Sequence, residues 1–124
     1  MTRSEVAQMI ADIKVPYAYY QFPQGTAQAT PFICFFYPQS GDFVADNENY
    51  SKIDTLIIEL YTDSKDFTME DKVETTLKAN NLVFIRDSSY LDEERMWMTT
   101  YQTEVLITPD VTITTEGYTD GEQN

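Results

Sequence analysis

Histidine is missing from this chain altogether, and that absence removes more chemistry than any other feature. Without it there is no Ser-His-Asp arrangement, no side chain that ordinarily titrates near neutrality, and no use of the commonest metal ligand. Cysteine is almost as scarce: Cys34 stands alone, so an internal disulfide and a cysteine zinc cluster are both excluded. Its place inside an aromatic, strand-like run reads as a buried thiol. With 4 glycines in all, the chain has no GxGxxG or GxxxxGK-Ser/Thr loop to cradle a phosphate. Basic residues are few, 8 Lys and Arg against 21 Asp and Glu, and they do not cluster. Binding to phosphate backbones or anionic lipid needs such clusters, so direct nucleic-acid or membrane-surface binding is disfavoured. No apolar run approaches the roughly 18 residues of a membrane helix. The N-terminus lacks the apolar core and cleavage site of a secretory signal, which predicts a cytosolic nascent chain.

What remains is acidic and aromatic. The 124 residues carry a formal net charge of -13, and residues 42–124 carry all of it, since Arg3, Lys14, Glu5 and Asp12 cancel in the first part. An acidic surface keeps a small protein dispersed, and it also suits a wall past which DNA slides without sticking. Aromatic residues make up 14% of the chain and hydrophobic residues 42%, enough for the core of one compact domain. The runs Asp92-Glu93-Glu94 and Asp46-Asn47-Glu48 offer hard oxygens of the kind that hold Mg²⁺ or Ca²⁺. A calcium loop starting at Asp46 fails, however, because Ser51 stands where the turn glycine belongs and Ile57 where the bidentate Glu belongs. Both runs read better as solvated loops. The Asn49-Tyr50-Ser51 sequon is accidental in a chain without a secretion signal. No cofactor and no enzymatic activity is expected.

Along the chain, Thr2 and Glu5 have capping-box spacing, and Val6, Met9, Ile10 and Ile13 form one apolar stripe, so a helix starts at the N-terminus and stops before Pro16. Tyr17 to Phe22 is β-prone. Pro23 to Pro31 is a loop. Phe32 to Tyr37 is apolar on both faces of the pleat, as expected of a strand covered on both sides. Phe43 to Ala45 reads as a short edge strand. Leu56, Ile58 and Leu60 share one face of the next strand, with Ile57, Glu59 and Tyr61 on a partly wet second face. A second helix is expected from a Thr68 cap, with Met69, Val73 and Leu77 buried and Asn80-Asn81 at its end. Leu82 to Ile85 reads as a strand, Arg86 to Glu94 as a polar connection, and Arg95 to Ile107 as the longest strand, with Trp97, Tyr101, Val105 and Ile107 on one face and Thr99 and Thr103 between them. The expected fold is α+β: a mixed, mostly antiparallel sheet of four or five strands with two helices packed on one face. The second half of the chain, β-α-β-β, has room for a parallel crossover around the helix. Residues 109–124, acidic and threonine-rich, are expected to form a flexible tail, with Val111 to Thr114 able to add a strand.

One segment carries a family resemblance. An aromatic, acidic loop (Phe43, Val44, Ala45, Asp46, Asn47, Tyr50) leads into the strand Ile53 to Tyr61. That strand ends in Thr62-Asp63-Ser64-Lys65-Asp66, and an amphipathic helix follows at once. This order resembles the tail-completion, or head–tail joining (tail terminator), proteins of long-tailed phages with non-contractile tails, over roughly Thr2 to Thr108. The resemblance implies one α+β domain, residues 1–108, acting as a structural virion protein of a phage or prophage. Such a protein caps the tail tube and joins it to the head connector as a ring, with six subunits implied. The implied partners are copies of itself, the tail tube protein and the head connector or stopper protein, with no direct nucleic-acid binding and no membrane. The implied location is the head-proximal end of the tail, reached from the host cytoplasm during assembly. Phe43, Asp46, Tyr50 and Tyr90, read as loop residues, are the candidate subunit contacts; Tyr118 is a further loop aromatic. Glu48, Glu59, Asp92 and Glu93 are the candidate lumen-facing acids. Two other readings stand beside this one. An acidic monomeric inhibitor that mimics nucleic acid would need carboxylates spaced like phosphates along one face. A carboxylate-metal enzyme would need tight divalent-cation binding.

Overall fold

The computed structural model describes residues 1–23, 28–38, 43–45, 48–51 and 53–109. Among them are two helices, α1 (Arg3–Ala11) and α2 (Phe67–Ala79). Seven strands accompany them: β1 (Tyr17–Tyr19), β2 (Phe32–Phe36), β3 (Phe43–Ala45), β4 (Glu48–Ser51), β5 (Ile53–Thr62), β6 (Phe84–Leu91) and β7 (Met96–Leu106). Five strands form one sheet in the order β1-β2-β5-β7-β6. β1 runs parallel to β2, and every other pairing is antiparallel. This is the expected mixed, mostly antiparallel α+β fold. β5 and β6 both run antiparallel to the β7 between them, so they are parallel to each other, and α2 makes the crossover.

The capping box at α1 is complete: Glu5 N donates to Thr2 Oγ1 at 3.0 Å and Thr2 N donates to Glu5 Oε1 at 2.8 Å. Each side chain thereby satisfies a backbone donor that the first helical turn leaves free. The helix closes at Asp12, and Lys14 takes a positive φ of 71°, so the turn is complete before Pro16. Backbone bonds from Met1 N to Leu106 O and from Thr108 N to Met1 O, both 2.8 Å, tie the start of α1 to the end of β7.

The second helix departs from expectation at its start. Asp66, not Thr68, is the cap, its carboxylate accepting from Met69 N at 3.0 Å. A charged cap has the advantage of sitting at the positive end of the helix dipole. At the other end Asn80 caps and Asn81 adopts φ 61°, as the Asn pair implied.

Alternation along the strands divides the sheet into two faces. One face carries Ile33 and Phe35 of β2, Leu56, Ile58 and Leu60 of β5, and Tyr101 and Val105 of β7. Both helices lie on it, contributing Val6, Met9, Ile10, Met69, Val73 and Leu77 to a single core. A fully buried Leu or Ile side chain stabilises by about 1.5–3 kcal/mol, so this one layer holds the fold together.

Three expectations of the sheet are corrected. The strand expected over Leu82–Ile85 and the polar connection expected over Arg86–Glu94 are instead β6, with the turn confined to residues 92–95. This edge strand shows no apolar alternation because its inward residues Arg86 and Ser88 meet polar partners on α2 and β7. β3 is a strand, but it pairs with β4 in a separate two-stranded sheet rather than at the edge of the main one. Finally, β2 is apolar on both faces, yet no helix of the described residues covers its second face. The acidic segment 110–124, Tyr118 within it, and Asp46 lie outside the described residues.

Candidate interaction surface

The sheet face opposite the two helices is built by alternate residues of β2 and β5. Phe32, Cys34 and Phe36 of β2 pair with Tyr61, Glu59 and Ile57 of β5, all pointing away from the helices. Phe32 stacks on Tyr61, with ring centroids 4.7 Å apart and planes 17° from parallel. After β1 the chain turns through Tyr20, which has φ 69° and donates its N–H to Phe35 O at 2.7 Å. That turn sets Tyr20 edge-on to Phe36 at 5.6 Å and Phe22 edge-on to Phe32 at 5.5 Å. Between these rings and the β6–β7 turn opens a basin of about 600 Å³. Glu59, Cys34, Leu91, Glu94 and Met96 line its floor and far side.

Its electrostatics are negative. Tyr61 Oη donates to Glu59 Oε1 at 2.8 Å. Burial, reinforced by that bond and by the Glu59 charge, raises the Tyr61 pKa well above the ordinary phenol value, so the hydroxyl stays a donor. Cys34 is 5% exposed, and burial followed by the Glu59 charge raises its thiol too. A thiol held protonated is a poor nucleophile, which agrees with the buried reading of Cys34.

A second polar cluster lies on the helix side, at the edge where α2 crosses β6 and β7. Glu70 on α2 is 2% exposed and forms an ion pair with Lys65. Arg86 of β6 stands 3.6 Å from the same carboxylate and pairs with Glu74 at 2.7 Å. Tyr101 donates to Glu74 at 3.1 Å, and its own pKa is raised, first by burial and then by Glu74. Lys65 also lies over the rings of Phe67 and Trp97 at 5.1 and 5.8 Å. These groups neutralise one another, and the cluster fastens α2 to the sheet. At the far end of the sheet Arg3 similarly pairs with the buried Asp54 at 2.8 Å. Among the described residues, no group of three or more His, Cys, Asp or Glu side chains is arranged to hold a metal ion.

The residues singled out from sequence are dispersed across this frame. Phe43 is in β3, and Glu48 and Tyr50 are in β4; nothing about their side chains belongs to the described structure. Tyr90 is in strand β6 rather than a loop, 45% exposed and edge-on to Trp97 at 5.5 Å. Asp92 and Glu93 are exposed in the β6–β7 turn. Glu59 alone of the set lies in the basin. The aromatic walls of the basin were missed, although the sequence held a signal: a strand apolar on both faces, beside a β5 whose second face is partly polar.

The α+β architecture, with one sheet face that no described helix covers, defines the class of fold. No protein-family model matches the chain, and no curated protein does. Among solved structures it is similar to a chain described as "Virion of native gene transfer agent (GTA) particle", with a TM-score of 0.54 and 13% identity, over 81% of this chain and 85% of that one. At that identity the likeness is one of fold. No helix of the described residues is long and apolar enough to cross a membrane.

Proposed function

We propose that this protein is a structural component of a phage or phage-like virion that caps the tail tube and joins it to the head connector as a ring. The observation that carries the reading is the fold shared, over most of both chains, with a chain of a gene transfer agent virion. The order of segments from Phe43 to Asp66 supports the narrower assignment to the head-proximal end of the tail. In this reading Phe43, Asp46, Tyr50 and Tyr90 contribute to contacts between subunits or with the tube and connector. Glu48, Asp92 and Glu93 belong to an acidic lining that does not retain passing DNA, whereas Glu59, engaged by Tyr61, belongs to the basin. A head-to-tail interface that closes on itself yields a ring, and six subunits is the number the resemblance implies.

The inhibitor reading rests on net charge. It is weakened because Asp54, Glu70 and Glu74 are held in ion pairs and cannot take part in a phosphate-like array.

The test is mass by light scattering, for the protein alone and then with purified tail tubes, followed by electron microscopy of the mixture. Density at one end of the tubes supports the assignment. A monomer that leaves tubes bare, and is absent from the tail's upper end in assembled particles, overturns it. Stoichiometric recovery of a DNA-binding enzyme from host lysate would favour the inhibitor.

A further inference from the structure

The basin combines aromatic rings with carboxylates that no cation of the described residues neutralises. Tyr20, Phe22, Phe32, Phe36 and Tyr61 wall it, and Glu59 and Glu94 both line it. Among the described residues, no lysine or arginine does. Elsewhere the contrast is plain: Asp54 has Arg3, Glu70 has Lys65, and Glu74 has Arg86. The faces of aromatic rings are themselves electron-rich, so walls and floor favour the same sign of ligand.

Among cations, a bare metal ion is poorly served, because hard ions need several oxygens converging on one point and no such group occurs among the described residues. An ammonium is compact and strongly hydrated. A guanidinium is weakly hydrated, stacks flat on rings and meets a carboxylate with a fork of donors. About 600 Å³ also exceeds what one side chain fills, leaving room for its apolar neighbours against Leu91 and Met96.

We propose that the basin is a binding pocket for an arginine side chain that a partner polypeptide presents between apolar residues. The guanidinium lies among the rings with its charge on Glu59 and Glu94. The flanking apolar side chains fill the rest. This inference stands on the basin alone and does not require the protein to sit in a tail.

The test is titration of the isotopically labelled full chain, followed by amide NMR, with acetyl-Leu-Arg-Leu-amide and its Lys and Leu counterparts. The arginine peptide is expected to give saturable shifts at Phe32, Glu59, Tyr61 and Met96, with Kd of about 1 mM or tighter. Added salt weakens it, and Glu59→Gln or Glu94→Gln weakens it about five- to tenfold while leaving the rest of the spectrum in place. Glu94 lies in an exposed turn, so its variant reports on charge even if the Glu59 variant folds poorly. Equal binding of the lysine peptide overturns the guanidinium assignment, and equal binding of the leucine peptide overturns the role of charge. Shifts scattered over other surfaces, or none, overturn the pocket.

Discussion

Lys65, just before α2, and Glu70, in its first turn, form an ion pair in which the glutamate side chain is 3% exposed and the lysine side chain 31% exposed. One partner is dry and the other reaches it from the surface. Removing the lysine leaves a buried charge with Arg86 at 3.6 Å and the Thr99 hydroxyl at 3.5 Å as its remaining neighbours. Lys65→Met is therefore expected to cost about 2 kcal/mol, below the usual cost of breaking a fully buried pair because Arg86 remains. Lys65→Met with Glu70→Gln should recover much of the loss, giving a coupling of about 1 kcal/mol in urea unfolding. Additive losses would show that the pair does not hold α2 to the sheet.

The cap of α2 separates two neighbouring residues. Asp66→Ala should destabilise by about 1 kcal/mol, because Met69 N loses its acceptor. Thr68→Ala, one turn position inside the helix, should be nearly silent. Thermal melts of both variants decide between them, and a larger effect at Thr68 would mean that the helix starts later.

Alkaline stability follows from Tyr61 and Tyr101. Both phenols have raised pKa values in the folded protein, chiefly through burial and then through Glu59 and Glu74 respectively. The unfolded chain therefore releases these protons first, at about pH 10. Their contribution is complete below that pH and declines as pH rises above it. Unfolding free energy measured from pH 8 upward should fall past about pH 10, and Tyr61→Phe or Tyr101→Phe should flatten the fall. An unchanged slope in both variants would rule these two tyrosines out as its source.

Cys34 gives a chemical readout of the bare face. Its burial and the nearby Glu59 charge keep the thiol protonated. Native protein should react with a disulfide reagent at neutral pH at least about tenfold more slowly than protein unfolded in urea. Glu59→Gln should raise the native rate, since it removes the second of the two causes. Rapid reaction of the native wild type would mean that the β2 floor opens readily.

Much of this fold is legible from local chemistry. The Thr2–Glu5 box, the stripe Val6, Met9, Ile10, Ile13, the stripe Met69, Val73, Leu77, and the alternation through Leu56, Ile58 and Leu60 are all short-range patterns whose meaning is set by helix and strand periodicity. The extent of β6 was not legible, because an edge strand whose inward residues are Arg86 and Ser88 has no apolar period to read. Nor was the cap at Asp66, since Asp66 and Thr68 are both good cap residues and the choice depends on where β5 delivers the chain.

Local sequence set the class of fold, one core beneath two amphipathic helices, and a composition rich in acidic and poor in clustered basic residues. These follow from composition and from periods of a few residues. Tertiary structure alone decided which carboxylates, among the described residues, stand beside a cation. Glu70, Glu74 and Asp54 meet cations from distant strands and turns, whereas Glu59 and Glu94 come together with five aromatic rings on the face that the helices leave bare. Charge pairing and cavity shape arise from residues far apart in the chain, and it is the β1-β2-β5-β7-β6 strand order that makes them neighbours.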